Sequence, residues 1–174
     1  MIGENLVRAV TTPEDRHFEA LMFAGIGFGN AGCHLPHGMS YAVAGLVKEY
    51  RAEGWLQGHP MVPHGIAVIV NSPAVFELTG PACPERHFLA AEAIGNDMKG
   101  VEVKVAGNIL ANSIIAMMKA TGIPNGLNGV GYTEDDLEDL TDGAFPQKRL
   151  IDNAPMSIRR GQLKDLFKNA LKYW

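Results

Sequence analysis

The 174-residue sequence has two cysteines, Cys33 and Cys83, and is thin in aromatics, with 7 Phe, 4 Tyr and 2 Trp. Two cysteines cannot build a disulfide scaffold, and they fit a reducing, cytoplasmic setting. Positive charge is also short. Fifteen Lys and Arg against 19 Asp and Glu leave a net charge of −4, the reverse of the balance expected when nucleic acid is the main partner. The longest uncharged apolar stretch, residues 66–76, carries Asn71 and Pro73 and is too short to cross a bilayer. No apolar h-region follows Met1, so no secretory signal is read, and no low-complexity tract or linker interrupts the chain. What remains is ordinary globular composition, 47% hydrophobic and 20% charged. A chain of this length can bury about 70% of its unfolded surface in one domain, 1–174.

Helical periodicity dominates. Thr12-Pro13-Glu14 supplies a hydroxyl cap, a first-position proline and a first-turn acid. Phe18, Leu21, Met22, Gly25, Ile26 and Gly29 follow at i, i+3, i+4 spacing and predict one buried stripe. Pro36 opens a second helix expected to turn Tyr41, Ala44, Gly45 and Leu46 inward. Pro63 opens a third, bent or broken at Pro73. Pro84 starts a short helix ending at Gly95. The longest helix is expected from Val101 to Thr121, with Ala106, Ile109, Leu110, Ser113, Ile114, Met117 and Met118 on one face. Thr133 to Asp136 reads as a capped start. The last helix pairs an apolar stripe (Leu163, Leu166, Phe167, Ala170, Leu171, Trp174) with a basic row, Arg160, Lys164, Lys168 and Lys172, that is either a solvated face or a docking face. The only period-2 segment, Val101 to Val105, runs straight into a helical pattern. The expectation is an all-α fold, a multi-helix bundle of seven or eight helices. Residues 1–12 lack a strong pattern and are expected to be loosely ordered or engaged by a second molecule.

One motif occurs twice, Pro36-His37-Gly38 and Pro63-His64-Gly65. Each histidine falls in a first helical turn, where the helix dipole disfavours imidazolium, and a neutral imidazole is the form that ligates metal. Each following glycine removes a side chain and permits close approach. His34 and His59 lie just ahead of the two corners, so four of six histidines fall between 34 and 64. A metal site is one reading; histidines hydrogen-bonded to neighbouring helix ends or facing solvent is the other. No Asp or Glu stands four residues before any histidine, so no carboxylate–imidazole pair shares a helix face. The glycines from Gly25 to Gly32 follow no strand and lie within a helical stripe, which excludes a dinucleotide loop and favours close helix packing. Cys33 reads as an inert small residue, Tyr41 as core, and His87 as surface.

The run from Ala24 through Gly-Asn-Ala-Gly-Cys-His-Leu-Pro-His-Gly-Met-Ser to Tyr41 resembles the signature region of the iron-containing (group III) alcohol dehydrogenases, most narrowly their hydroxyacid–oxoacid transhydrogenase branch. His59 to Gly65, Ser72 to Phe76, Pro84-Glu-Arg-His87, Val130 to Thr133 and Phe145-Pro-Gln extend the resemblance over most of the chain. It implies the helical metal domain of a two-domain NAD(P)-linked oxidoreductase acting on alcohols or hydroxyacids, whose Fe2+ (or Zn2+) is held by one Asp and three His. It carries the ligand role onto His37 and His64, with His59 a further candidate and His34 and Tyr41 as site lining; Tyr41 stands where many members have a histidine. The resemblance also implies that the Asp-x-x-x-His ligand pair and the α/β nucleotide-binding domain belong ahead of Met1. The 174 residues alone are then expected to bind metal weakly and transfer no hydride, and to pair with a separate α/β domain or with themselves. The alternative is a non-catalytic binding module.

Overall fold

The computed structural model describes residues 6–7, 10–12, 18–55 and 58–174. The helix start expected at Thr12-Pro13-Glu14 lies almost wholly outside them, as does most of 1–12, of which Leu6, Val7 and Val10 are exposed. The fold is helical. Among the described residues there is no strand, only an isolated bridge between Arg51 and Met61, and no helix is long and apolar enough to cross a membrane.

Helix α1, Phe18–Ala31, is followed by α2, Leu35–Gly45. A loop leads to α3, His64–Ile69, which stops before α4, Ser72–Thr79, with Pro73 in the first turn of the second piece. The break expected at Pro73 is therefore present. After a 3₁₀ turn, Gly80–Ala82, come α5, Pro84–Ala93, and α6, Ala106–Ala120. The valines of 101–105 end in a separate 3₁₀ turn, Val103–Val105, so the long helix begins five residues later than its periodicity suggests. Helices α7, Leu137–Ala144, α8, Lys148–Ile151, and α9, Arg160–Asn169, complete the chain.

Helix α2 is the hub, packed on α3, α7 and α8, while α6 lies between α4 and α5. The larger core joins Leu35, Met39 and Val43 of α2 to Leu140 of α7 and to Leu163, Leu166 and Phe167 of α9. Each fully buried aliphatic or aromatic side chain of this kind contributes about 1.5–3 kcal/mol. A second cluster holds Ala91, Met98, Ala106 and Leu110. Helices α4 and α6 meet at glycine: a Cβ on Gly107 would lie 2.7 Å from the Phe76 carbonyl oxygen and 2.8 Å from the Gly80 Cα, so only glycine permits this approach. Two buried hydroxyls tie distant segments together. Tyr132 Oη donates to the Val43 carbonyl at 2.7 Å, and Tyr173 Oη donates to that of Val70 at 2.9 Å.

The structure corrects two stripes. In α1, Ile26 is 55% and Phe28 61% exposed, and a Cβ on Gly27 or Gly29 would meet open space. Among the described residues no helix packs along α1; its last turn is held by the Asn153 amide, which donates to the Ala31 and Cys33 carbonyls. Among the described residues, then, these glycines serve no close helix packing. In α2 the inward face is Leu35, Met39, Ala42 and Val43, while Tyr41, Ala44, Gly45 and Leu46 face outward. The apolar character of α2 on nearly every side conceals which side meets α7 and α8.

Three members of the basic row, Arg160, Lys164 and Lys168, have their partners inside the chain. Arg160 reaches Asp142 at 2.6 Å and Glu138 at 2.7 Å, Lys164 pairs with Glu138, and Lys168 lies 3.6 Å from Glu134. Those acids belong to α7 and to the 3₁₀ turn before it, Glu134–Asp136, whose capping box has Asp136 accepting from the Thr133 backbone N–H at 2.8 Å. Trp174 lies past the end of α9 and packs under the Lys119 ammonium, 5.1 Å from its ring centre.

Candidate metal centre

The two Pro-His-Gly corners come together. His34 is the N-cap of α2 and His37 completes its first turn, with the His37 N–H donating to the His34 carbonyl at 2.9 Å. Pro63 caps α3, so His64 is the first residue of that helix. Packing of α3 on α2 sets the imidazole centroids of His37 and His64 5.4 Å apart, with the rings inclined at 57°. Gly38 lets α8 approach: a Cβ there would meet Ile151 at 3.3 Å and Leu150 at 3.5 Å. Beside Gly65 the space is open among the described residues.

The electrostatics favour the neutral form of His37 and His34. Burial, and then the neighbouring His64, push the His37 pKa below its ordinary value. For His34 the order is burial, His37, then His87. A neutral imidazole keeps a lone pair for a ligand, and His64 is exposed and reachable. Metal–nitrogen bonds of about 2.0–2.1 Å at a tetrahedral angle place two imidazole centroids about 5 Å apart, so the observed pair fits two positions on one ion. It fits only half of a four-ligand set. No group of three His, Cys, Asp or Glu side chains suited to a metal assembles among the described residues. His59 stands exposed in the loop ahead of the second corner, and no ring contact joins it to either histidine. Tyr41, one turn after His37, is 48% exposed and not core.

A second group of side chains adjoins the pair. The rings of His34, Phe76 and His87 follow one another edge to face, with centroids 6.2 and 5.8 Å apart. His87, expected on the surface, is only 7% exposed. Its Nδ1 lies 2.8 Å from the Cys83 carbonyl oxygen and its Nε2 3.0 Å from Thr79 Oγ1. A carbonyl can only accept, so Nδ1 carries a proton. The sequence signal that could have found it is the helix start at Pro84, which turns the fourth residue back toward the Cys83 carbonyl.

Two histidines at neighbouring helix N-termini of a helical bundle are thus brought within one metal ion's reach of each other. The sequence profile described as Fe-containing alcohol dehydrogenase family, C-terminal, matches residues 1–171, and the chain belongs to that family. It is 44% identical over its whole length to the mitochondrial hydroxyacid-oxoacid transhydrogenase of Xenopus laevis, of which it covers 39%, and 40% identical to the human protein of that name, of which it covers 38%. The chain therefore spans about two fifths of the length of these curated relatives. Among solved structures, a 1,3-propanediol oxidoreductase superposes with a TM-score of 0.82 at 25% identity, over 97% of this chain and 42% of that one. An alcohol dehydrogenase from Oenococcus oeni shares the fold at 0.83 and 22% identity, over 97% of this chain and 42% of that one. These findings correct the cytoplasmic expectation: the frog, slime-mould and human relatives are mitochondrial by name. Two unpaired cysteines suit any reducing compartment and do not separate the cytosol from an organelle interior.

Proposed function

We propose that this chain is the metal-binding, C-terminal part of an NAD(P)-linked oxidoreductase that acts on alcohols or hydroxyacids. His37 and His64 are two of its metal ligands. The observation that carries the reading is the convergence of two identical corners, 27 positions apart in sequence, on one pair of imidazoles 5.4 Å apart. Bound Fe2+ or Zn2+ would supply Lewis acidity to the substrate hydroxyl oxygen. The chain's own contribution is to fix the two imidazoles. The first turns of α2 and α3 set their direction, Gly38 seats α2 against α8, and the side chains of Tyr41 and His34 line the approach.

Hydride transfer also needs a nicotinamide site, which we assign to an α/β domain, together with the remaining ligands of the ion. Exposed Ile26 and Phe28 on α1 suit a covering partner of this kind. The 174 residues alone then hold metal weakly and transfer no hydride. Cobalt(II) titration followed by visible absorption tests the ligand assignment. His37→Ala and His64→Ala should each abolish the residual absorption band, whereas retention of the parent spectrum by both variants would overturn it. Self-association as a non-catalytic helical module is the second reading, favoured by the same exposed residues; a stable dimer that binds no metal would support it instead.

A further inference from the structure

Next to the histidine pair lies a cavity of about 280 Å³ whose walls include His34, Phe76, Thr79, Arg86, His87 and Asn153. It opens between the N-cap of α2 and the first turn of α5, one helical turn from His37. Among the described residues Arg86 is the only charged one of its wall, and no Asp or Glu lines it. Among the described residues Arg86 has neither an ion pair nor a hydrogen bond for its guanidinium. Arg160, Lys48, Lys164 and Lys168, by comparison, face carboxylates. A guanidinium at a cavity mouth with no acid opposite presents two parallel donors to an incoming anion.

The lining is also incomplete at His34. His34 Nδ1 is buried without a hydrogen-bond partner, an arrangement that costs about 1–3 kcal/mol until something fills it. Phe76, between His34 and His87, gives the floor an apolar surface for a short carbon skeleton. The volume sits at the small end of ligand sites. An unpaired guanidinium, an unsatisfied imidazole nitrogen and an apolar floor together suit a small organic acid better than a simple alcohol.

We propose that this cavity is a carboxylate subsite: a short-chain hydroxy or oxo acid binds with its carboxylate on Arg86 and its oxygen-bearing carbon toward His34 and His37. The orientation of the acid rests on the metal reading of His37 and His64; its binding to Arg86 does not. Lactate and 1,2-propanediol, which share a skeleton and differ in the carboxylate, are the probes. They are titrated into the metal-free 174-residue chain carrying ¹³C-labelled histidine, with the imidazole resonances followed by NMR.

Lactate should shift the His34 and His87 resonances saturably, and the diol should leave them in place at equal concentration. Arg86→Gln should weaken lactate by at least about tenfold, the loss of one charge-assisted contact, while Arg86→Lys keeps part of the affinity. Arg86 is exposed, and an unchanged melting curve for both variants shows that the fold is intact. Equal binding of lactate by the parent and Arg86→Gln, or equal shifts from the diol, would overturn the subsite. A zinc titration of the same sample separates the two readings. Zinc shifts at His37 and His64 without a lactate response defeat the subsite alone, and a lactate response without zinc shifts defeats the metal assignment alone.

Discussion

His37 and His64 face each other across two helix N-termini, 5.4 Å between ring centres. Their approach depends on α3 lying against α2, so the pair also reports on the fold. Gly38 is the point at which α2 rests on α8. Gly38→Val should push α2 away from Ile151 and cost about 1–3 kcal/mol by overpacking. It should weaken zinc binding in the same step, as read by melting and zinc titration.

His87 is the clearest single test of the buried polar network. Replacing it with Leu removes the partner of Thr79 Oγ1 and leaves the Cys83 carbonyl without its side-chain donor. The expected loss is about 1–3 kcal/mol, or a few degrees in melting temperature at about 2–4 °C per kcal/mol for a chain of this size. An unchanged melting temperature would show that the network contributes nothing.

Gly107→Ala should destabilise at least as much. Its methyl would fall 2.7 Å from a backbone oxygen of α4, where no side chain can move aside. About 1–3 kcal/mol or more is expected, measured by urea unfolding. Ala at exposed Gly161, where a Cβ meets open space, is the control.

Acid should loosen the contact between α7 and α9. Hydrogen bonds from Lys164 and then Arg160 hold the Glu138 carboxyl below its ordinary pKa. Burial nudges Asp136 upward, but Lys48 and the Thr133 backbone outweigh it and leave a net lowering. A carboxyl whose folded pKa lies below its unfolded value adds stability above the unfolded value and loses it as pH falls through the folded one. Melting temperature should therefore drop as pH goes below about 4.5, the ordinary Glu value, and Glu138→Gln should flatten that drop. High salt should do likewise, since the pairs are exposed.

Local chemistry was the legible part of this chain. The two proline-led corners, the capping box at Thr133 and the stripe Leu163, Leu166, Phe167 each depend on neighbours within a turn, and each stands where periodicity places it. The family signature around His37 was legible for the same reason. What depends on distant partners was not. Nothing near Arg160 announces that Glu138 and Asp142, some twenty residues earlier, will face it. Tyr41 and Leu46 look like core because α2 is apolar on most sides, and only the positions of α7 and α8 choose which side is buried. Ile26 follows a helical stripe that no described residue covers. His87 was misplaced because its partner Thr79 stands at the end of α4, eight residues away and outside the helix whose periodicity was read.

The central claim, that these residues hold half of a metal site, is tested most directly by metal content. The purified 174-residue chain is dialysed against a weak chelator and assayed for iron and zinc, alone and after mixing with an α/β domain prepared from a full-length relative. The claim predicts negligible metal on the chain alone and stoichiometric metal, lost in His37→Ala and His64→Ala, once the second domain is present. Near-stoichiometric iron or zinc on the chain by itself, undiminished by either substitution, would contradict it.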